Sequence, residues 1–366
     1  MKIGIVIRCC RNFGSSRYVV ETSRYFVKKH ELHIFTNNWD PLDERIVIHK
    51  IPTLSSNFYI YEGSFFLFST IALKFHSFDV TLSQPTRYLS PGVAEMQFVY
   101  RAWANYRKEN GLNLSLGDRI TPIIEKHNIK KAKEIIAISN SVKNEVMHFY
   151  NIPEEKVHVI HSGVNLDEFT NKNKKKYSED IRDKYGINQN DLVLLFVGNP
   201  FERKGLRYVF EAMAKLKTKN VKLFILGRDD TEPYMKLAKT LGIEDKIIFA
   251  GLLPGVAKYF NIADIFVLPT LYEPFGLVIL EAMASGLPVV TSKLAGAAEI
   301  IEDGKDGFWI ENPKNPSEIA ESLNRLIEDD NLRNQMGRKA REKAEKHSWE
   351  VVAKQMMNVF ELVAKI

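Results

Sequence analysis

The chain has 366 residues, more than one ordinary core holds and enough for two domains. Apolar residues make up 45% and charged residues 26%, which excludes a mainly disordered, collagenous or coiled-coil chain. The net charge is +6 and sits in residues 1–165, with 21 Lys/Arg against 15 Asp/Glu, while residues 166–366 carry 30 of each. Such an excess is modest for a nucleic-acid binder, so none is expected, and it suits an anionic small molecule or lipid surface.

In chain order, residues 3–7 form an apolar run too short for a signal peptide and read as a buried strand. Cys9 and Cys10 follow side by side. Adjacent thiols cannot staple distant segments, and two alone cannot make a tetrahedral zinc site, so a reducing compartment is expected. Asn12-Phe13-Gly14-Ser15-Ser16-Arg17 then makes a turn before a helix over 17–29. It lets a ligand approach the backbone but lacks Gly-x-Gly-x-x-Gly, and a plain connecting turn fits equally.

Strands are expected at 32–36 and 46–51. The stretch 58–75 is the most apolar, but its uninterrupted run is about half of the ~20 residues a membrane span needs. A strand at 79–82 follows. Residues 95–108 set Phe98, Tyr100, Trp103 and Tyr106 among Arg101, Arg107 and Lys108 near helical spacing. Such aromatics stack on sugars or sit at membrane interfaces, yet at helical spacing they also read as core. A strand at 134–138 precedes a helix that Ser141 can cap, and a strand at 157–161 ends the series.

Residues 171–176 break the pattern as a solvated linker. It restarts with an apolar strand at 192–197 and Gly198-Asn199-Pro200-Phe201-Glu202-Arg203-Lys204-Gly205. Arg203 offers a fork and Lys204 a point charge, a pair that would neutralise a diphosphate; a solvated cation pair in a turn also fits. A helix over 206–216 and strands at 222–226, 246–249 and 265–268 continue the alternation.

After that last strand comes Glu273-Pro274-Phe275-Gly276-Leu277, with Glu281 about one turn further on. Pro274 suits the first turn of a helix, and the amides of Phe275, Gly276 and Leu277 would face an anion there. The order is carboxylate, amide cradle, carboxylate. The plain alternative is that Glu273 favours the helix dipole and Glu281 is solvated. A strand at 288–291 leads to the small-residue loop 293–299, where Glu299 could bind hydroxyls or cap. A strand at 307–310 and a mostly helical tail from 315 complete the chain. No His-x-x-x-His, His-Glu-x-x-His or Asp-x-Asp spacing occurs, and no metal is expected. Strands alternating with helices in two halves imply an α/β chain of two Rossmann-like domains with parallel sheets facing a central cleft.

These motifs in this order resemble the retaining glycosyltransferases of group 1, also called family 4, which have the GT-B fold. Gly14 through Arg17 looks like the family's Gly-Gly-x-x-Arg loop. Ile136-Ala137-Ile138-Ser139 looks like Val-Ala-x-Ser, and Val159-Ile160-His161-Ser162-Gly163-Val164-Asn165 through Phe169 looks like Val-Ile-Pro-Asn-Gly-Val-Asp with its later Phe. Phe196-Val197-Gly198 with Arg203-Lys204-Gly205, and Ala263-Asp264 through Glu273 and Glu281, match the elements further on. The Phe-x-Arg-Lys-Gly form is similar to that of lipopolysaccharide-core glucosyltransferases.

The resemblance implies a metal-independent transferase of the hexosyl type without a cofactor. It would move a sugar from a UDP- or GDP-linked nucleotide sugar to a glycan or glycolipid of the cell envelope. Arg203 and Lys204 would hold the diphosphate, Glu273 the sugar hydroxyls and Glu281 the ribose. Phe275, Gly276 and Leu277 would supply amides, with Gly14 and Gly198 on the same donor side. Residues 1–165 would bind the acceptor and 166–345 the donor, and 346–366 would be a helix crossing back to the first domain. Phe13 replaces the family's first loop glycine, and His161-Ser162 replaces Pro-Asn. For the family's His or Asp near the sugar, Glu95 is the candidate, with Gln97 behind it and Tyr100, Arg101 and Trp103 on the acceptor side. The setting would be cytoplasmic, with peripheral contact to an anionic membrane as an option. A nucleotide-sugar epimerase or phosphorylase on a similar fold, or a non-catalytic nucleotide- or glycan-binding paralogue, are the alternatives.

Overall fold

The computed structural model describes residues 1–10, 16–54, 58–84, 92–218 and 220–364. Gly14 and most of its turn lie outside these described residues. The chain forms two units, Met1–Gly163 with Trp349–Ile366, and Val164–Ser348.

In the first unit the strands are β1 (Lys2–Val6), β2 (Cys9–Cys10), β3 (Glu31–Thr36), β4 (Asn38–Trp39), β5 (Val47–Lys50), β6 (Val80–Ser83), β7 (Val93–Met96), β8 (Glu134–Ala137) and β9 (Val157–Val159). Between them lie α1 (Ser16–Phe26), α2 (Phe58–Leu73), α3 (Tyr100–Glu109), α4 (Leu116–Lys131) and α5 (Asn140–Tyr150). Seven strands make one parallel sheet in the order β5-β3-β1-β6-β7-β8-β9, and β2 pairs β4 separately. Ile3 of β1 pairs Leu32 on one side and Val80 on the other. Ile3, Leu32 and Val80 are all buried, as a strand covered on both faces requires.

The second unit repeats the plan with β10 (Leu192–Val197), β11 (Val221–Leu226), β12 (Ile247–Gly251), β13 (Ile265–Leu268), β14 (Val289–Ser292) and β15 (Gly307–Ile310). Its helices are α6 (Lys174–Lys184), α7 (Leu206–Met213), α8 (Glu232–Leu241), α9 (Ala257–Phe260), α10 (Leu277–Ala284), α11 (Pro316–Glu328) and α12 (Asp330–Glu345). The parallel sheet runs β12-β11-β10-β13-β14-β15. In both units the first strand is central and the chain reverses direction beside it. The reversal point lies between β1 and β6 in one sheet and between β10 and β13 in the other. Such a point opens a crevice at the carboxyl ends of the strands, where α/β sheets bind ligands.

The last helix, α13 (Trp349–Ala364), packs in the first unit against α1. Trp349 meets Tyr18 edge-on at 5.6 Å between ring centres, and Phe360 lies 5.4 Å from Phe26. Gly163 admits this contact, because a Cβ there would stand 2.8 Å from the Trp349 ring.

Several local expectations change. Residues 171–176 are not a linker: a 3-10 turn, Asn171–Asn173, runs straight into α6. Residues 95–108 are not one helical segment, since β7 takes Glu95 and α3 begins at Tyr100. Ser139, not Ser141, caps α5, accepting from Val142 N–H at 3.1 Å. α7 stops at Met213, short of the expected 216. The apolar stretch forms α2, and among the described residues no helix is long and apolar enough to cross a membrane.

Candidate active site

Three loops of the second unit meet at its reversal point. They follow β10, β13 and β14, which are neighbours in the sheet. The loop after β10 carries Arg203 and Lys204, and the loop after β13 carries Glu273. Lys204 Nζ donates to Glu273 Oε2, and Arg203 Nη1 reaches the same oxygen at 3.3 Å. Arg203 is aimed by two carbonyls, Tyr272 O at 2.7 Å and Asn199 O at 3.1 Å. The Lys204 side chain is 9% exposed and that of Glu273 12%, so the pair is largely out of water. Burial holds the Lys204 ammonium below its usual range, against the pull of Glu273, with Arg203 acting alongside burial.

Glycines make the room. Gly198 ends β10's loop entry at φ +153°, and a Cβ there would meet Lys204 Cε at 3.0 Å. Gly276 adopts φ +96°, and its Cβ would meet Glu273 Cγ at 3.1 Å. Gly205, at φ +78°, passes so close to the β13 loop that a Cβ would fall 2.1 Å from Pro269 O.

Backbone bonds pin the loops to one another. Leu271 N–H donates to Arg203 O at 2.8 Å. Gly296 N–H donates to Glu273 O at 3.0 Å, and Ala297 N–H to Phe275 O at 2.8 Å. Asn199 Oδ1 accepts from Arg228 N–H at 2.6 Å, and Asp229 Oδ2 from Phe201 N–H at 2.8 Å. The motif reading missed the support from Asn199 and Asp229. An Asn and an Asp just after two neighbouring strands were the available signal.

α10 starts at Leu277 with Gly276 as its N-cap, so Pro274 stands outside the helix and not in its first turn. The amides at the helix start are those of Leu277 and Val278; Phe275 and Gly276 precede it. Glu281 is 6% exposed, which removes the reading of it as a solvated helix residue. Glu299 is exposed in the turn Gly296–Ile300.

In the first unit, Glu95 is fully buried on β7 and accepts a hydrogen bond from Gln97 Nε2. Burial pushes its carboxyl up to about 8, against the effect of that bond. Tyr100 and Trp103 are half-buried on α3, and Arg101 is exposed. Tyr100 N–H donates to Glu125 Oε2 at 2.8 Å, and Tyr150 Oη donates to the same oxygen. Burial pushes Glu125 up to about 8 as well.

Two cations and a carboxylate, largely out of water, thus stand together at the reversal point of one of two Rossmann-like α/β units. The fold is that of the GT-B glycosyltransferases. The crystal structure of WaaG, a glycosyltransferase involved in lipopolysaccharide biosynthesis, superposes with a TM-score of 0.81 at 22% identity, covering 98% of this chain and 99% of that one. Anabaena HepE in complex with UDP-glucose gives 0.76 at 18%, covering 100% of both chains. The description "Glycosyl transferases group 1" matches residues 178–343, and "Glycosyltransferase Family 4" matches residues 14–168. The chain belongs to the group 1, family 4 glycosyltransferases. An uncharacterized glycosyltransferase of Methanocaldococcus jannaschii is 37% identical over 64% of this chain; the match spans 61% of that relative's own length.

Proposed function

We propose that the protein transfers a hexose-type sugar from a UDP- or GDP-linked donor to a glycan or glycolipid, with retention and without a metal. The cluster of Arg203, Lys204 and Glu273 carries this reading. Lys204 is a buried cation whose charge is disfavoured by burial. A diphosphate would supply more negative charge than Glu273 alone and would draw both cations to itself. Glu273 would then be released to accept hydrogen bonds from sugar hydroxyls. The amides at the start of α10 add a positive end for the same anion.

In the transfer, the bond from the anomeric carbon to the diphosphate oxygen breaks, and the nucleoside diphosphate leaves with the electron pair. The acceptor oxygen bonds the same carbon from the same face, and its proton passes to the departing diphosphate. Arg203, Lys204 and the helix start stabilise the charge that grows on the leaving group, the work a metal does elsewhere. Incubation with UDP- and GDP-hexoses should release nucleoside diphosphate; no release from any donor overturns the reading.

On the acceptor side, we read the basic first unit as facing an anionic membrane from a reducing compartment. The outer face of α4 carries Leu116, Ile120 and Ile123 beside Arg119, Lys126, Lys130 and Lys131, all exposed. Its two acids are turned away from solvent: Asp118 pairs with Arg107 at 2.9 Å, and Glu125 is buried. An apolar and cationic face of this kind suits an anionic bilayer surface.

A further inference from the structure

Histidines from three places in the chain meet on the first sheet. His33 is on β3, His49 on the edge strand β5, and His76 just past α2. His33 is buried, His49 half-buried and His76 exposed. The His33 and His49 rings stack at 5.0 Å between centres, and His76 stands edge-on to His49 at 4.7 Å. Phe35, the cross-strand partner of His49, lies flat on its ring at 4.3 Å. Phe35 shares a core with Phe65 and Leu73 of α2, so the rings tie the edge strand and the helix to one place.

The bonds of this cluster have room for one added proton. His33 Nε2 stands 2.8 Å from Glu31 Oε1, and an ionised carboxylate only accepts, so that nitrogen carries a proton. His33 Nδ1 lies 2.7 Å from His49 Nε2, a gap that one proton fills from either side. With both rings neutral, His49 donates to His33. After one proton is added, the charged ring donates to the neutral one. A second sets N–H against N–H across the same gap and breaks the bond. His76 Nδ1–H donates to Ala72 O at 3.0 Å, so a proton added to that ring lands on Nε2 and puts further positive charge beside His49.

The charged groups bordering the cluster are Glu31 on β3, Lys2 on β1, which pairs with Glu31 at 3.0 Å, and Asp79, which accepts from Lys2 N–H at 2.7 Å. Glu31 favours the first proton but shares its charge with Lys2. Burial holds His49 below its ordinary 6.5, and His76, His33 and Lys2 act in the same direction. Among the described residues no group of three or more His, Cys, Asp or Glu side chains is placed to hold a metal ion, so the ligand is the proton.

We propose that His33, His49 and His76 form an acid-sensitive latch that seats β5 and α2 on the first sheet and opens when the His33–His49 pair takes a second proton. The contribution of His49 is full above pH 6.5 and is lost as pH falls below it. The latch lies within the first unit and does not depend on the glycosyltransferase reading.

Hydrogen exchange of the full chain at pH about 7.5 and about 5.5, corrected for the intrinsic effect of pH, tests the latch. Exchange over Val47–Lys50 and Phe58–Leu73 should rise about tenfold or more at the lower pH, while β10 of the second unit keeps its protection. In His49→Gln the side-chain amide can donate to a neutral His33 or accept from a charged one, so the rise should vanish. No rise in the unmodified protein, or the same rise in a folded His49→Gln, would overturn the proposal. If His49→Gln does not fold, NMR titration of the histidine rings in the unmodified protein decides. Uptake of the second proton by the His33–His49 pair in the pH range of the exchange rise supports the latch, and uptake of both protons well above that range overturns it.

Discussion

Lys204 and Glu273 are 69 residues apart in sequence and form one buried ion pair. The strand order brings them together: β10 and β13 are neighbours, and each residue lies in the loop that follows its strand. Gly198 makes room for the lysine and Gly276 for the glutamate. A pair so placed is a poor device for stability, because burying two charges offsets most of their attraction. It is a good device for exchange, because an arriving anion finds a cation already stripped of water.

Removing either partner should therefore act differently on binding and on turnover. Glu273→Ala leaves a buried cation without its carboxylate and should cost on the order of 3 kcal/mol in stability. Nucleoside diphosphate should restore much of it, and calorimetry should find that ligand bound at least as tightly as by the unmodified protein. Lys204→Ala leaves Glu273 with Arg203 at 3.3 Å, so its stability cost should be smaller. Its diphosphate affinity should fall by roughly tenfold or more. Both variants should lose most transfer.

The glycines give a graded series. Gly205→Ala puts a Cβ 2.1 Å from Pro269 O at φ +78° and should cost on the order of 3 kcal/mol or more, seen as a large fall in Tm. In Gly198→Ala the new Cβ meets Lys204 Cε, the far end of a flexible chain, although the backbone is strained at φ +153°. That variant should fold with a smaller fall in Tm and lose diphosphate affinity, because the lysine is what moves.

Stability should also fall as pH rises. Glu125 has an ordinary value of 4.5 and about 8 in the folded protein, through burial. A raised folded value means that its contribution is full below pH 4.5 and is lost as pH climbs through about 8. Urea unfolding should show a loss of roughly 2–4 kcal/mol from Glu125 over that window, and Glu125→Gln should shrink the total, leaving the share of Glu95, which burial also raises to about 8. An unchanged slope in Glu125→Gln would assign the effect elsewhere.

Much of the plan was legible in the residues. The apolar runs at 192–197 and 265–268 are β10 and β13 as read, because a strand buried on both faces shows as a continuous apolar block. Arg203, Lys204 and Glu273 stood out as polar groups at the ends of such blocks. Their pairing was not legible, since it depends on strand order, which no local pattern carries. The buried setting of Glu95 was not legible for a related reason. Its strand is only Val93–Met96, and the aromatics of α3 that follow impose a helical rhythm on the whole stretch. Pro274 misled because a proline suited to a first turn also suits the extended approach to one, here held by Gly296 and Ala297.

Vesicle flotation tests the face of α4. Anionic vesicles should hold the protein at low salt and neutral vesicles should not. Ile123→Glu, at a position 69% exposed, should weaken that binding without lowering Tm. Equal recovery on both vesicle types would contradict the reading.

The most direct measurement is nucleoside diphosphate release from a panel of UDP- and GDP-hexoses, run with and without chelator. Glu273→Ala and Lys204→Ala serve as controls. Release is expected from at least one donor, undiminished by chelator and reduced at least about a hundredfold in both variants. Near-normal release in either variant, or none by the unmodified protein from any donor, would contradict the reading.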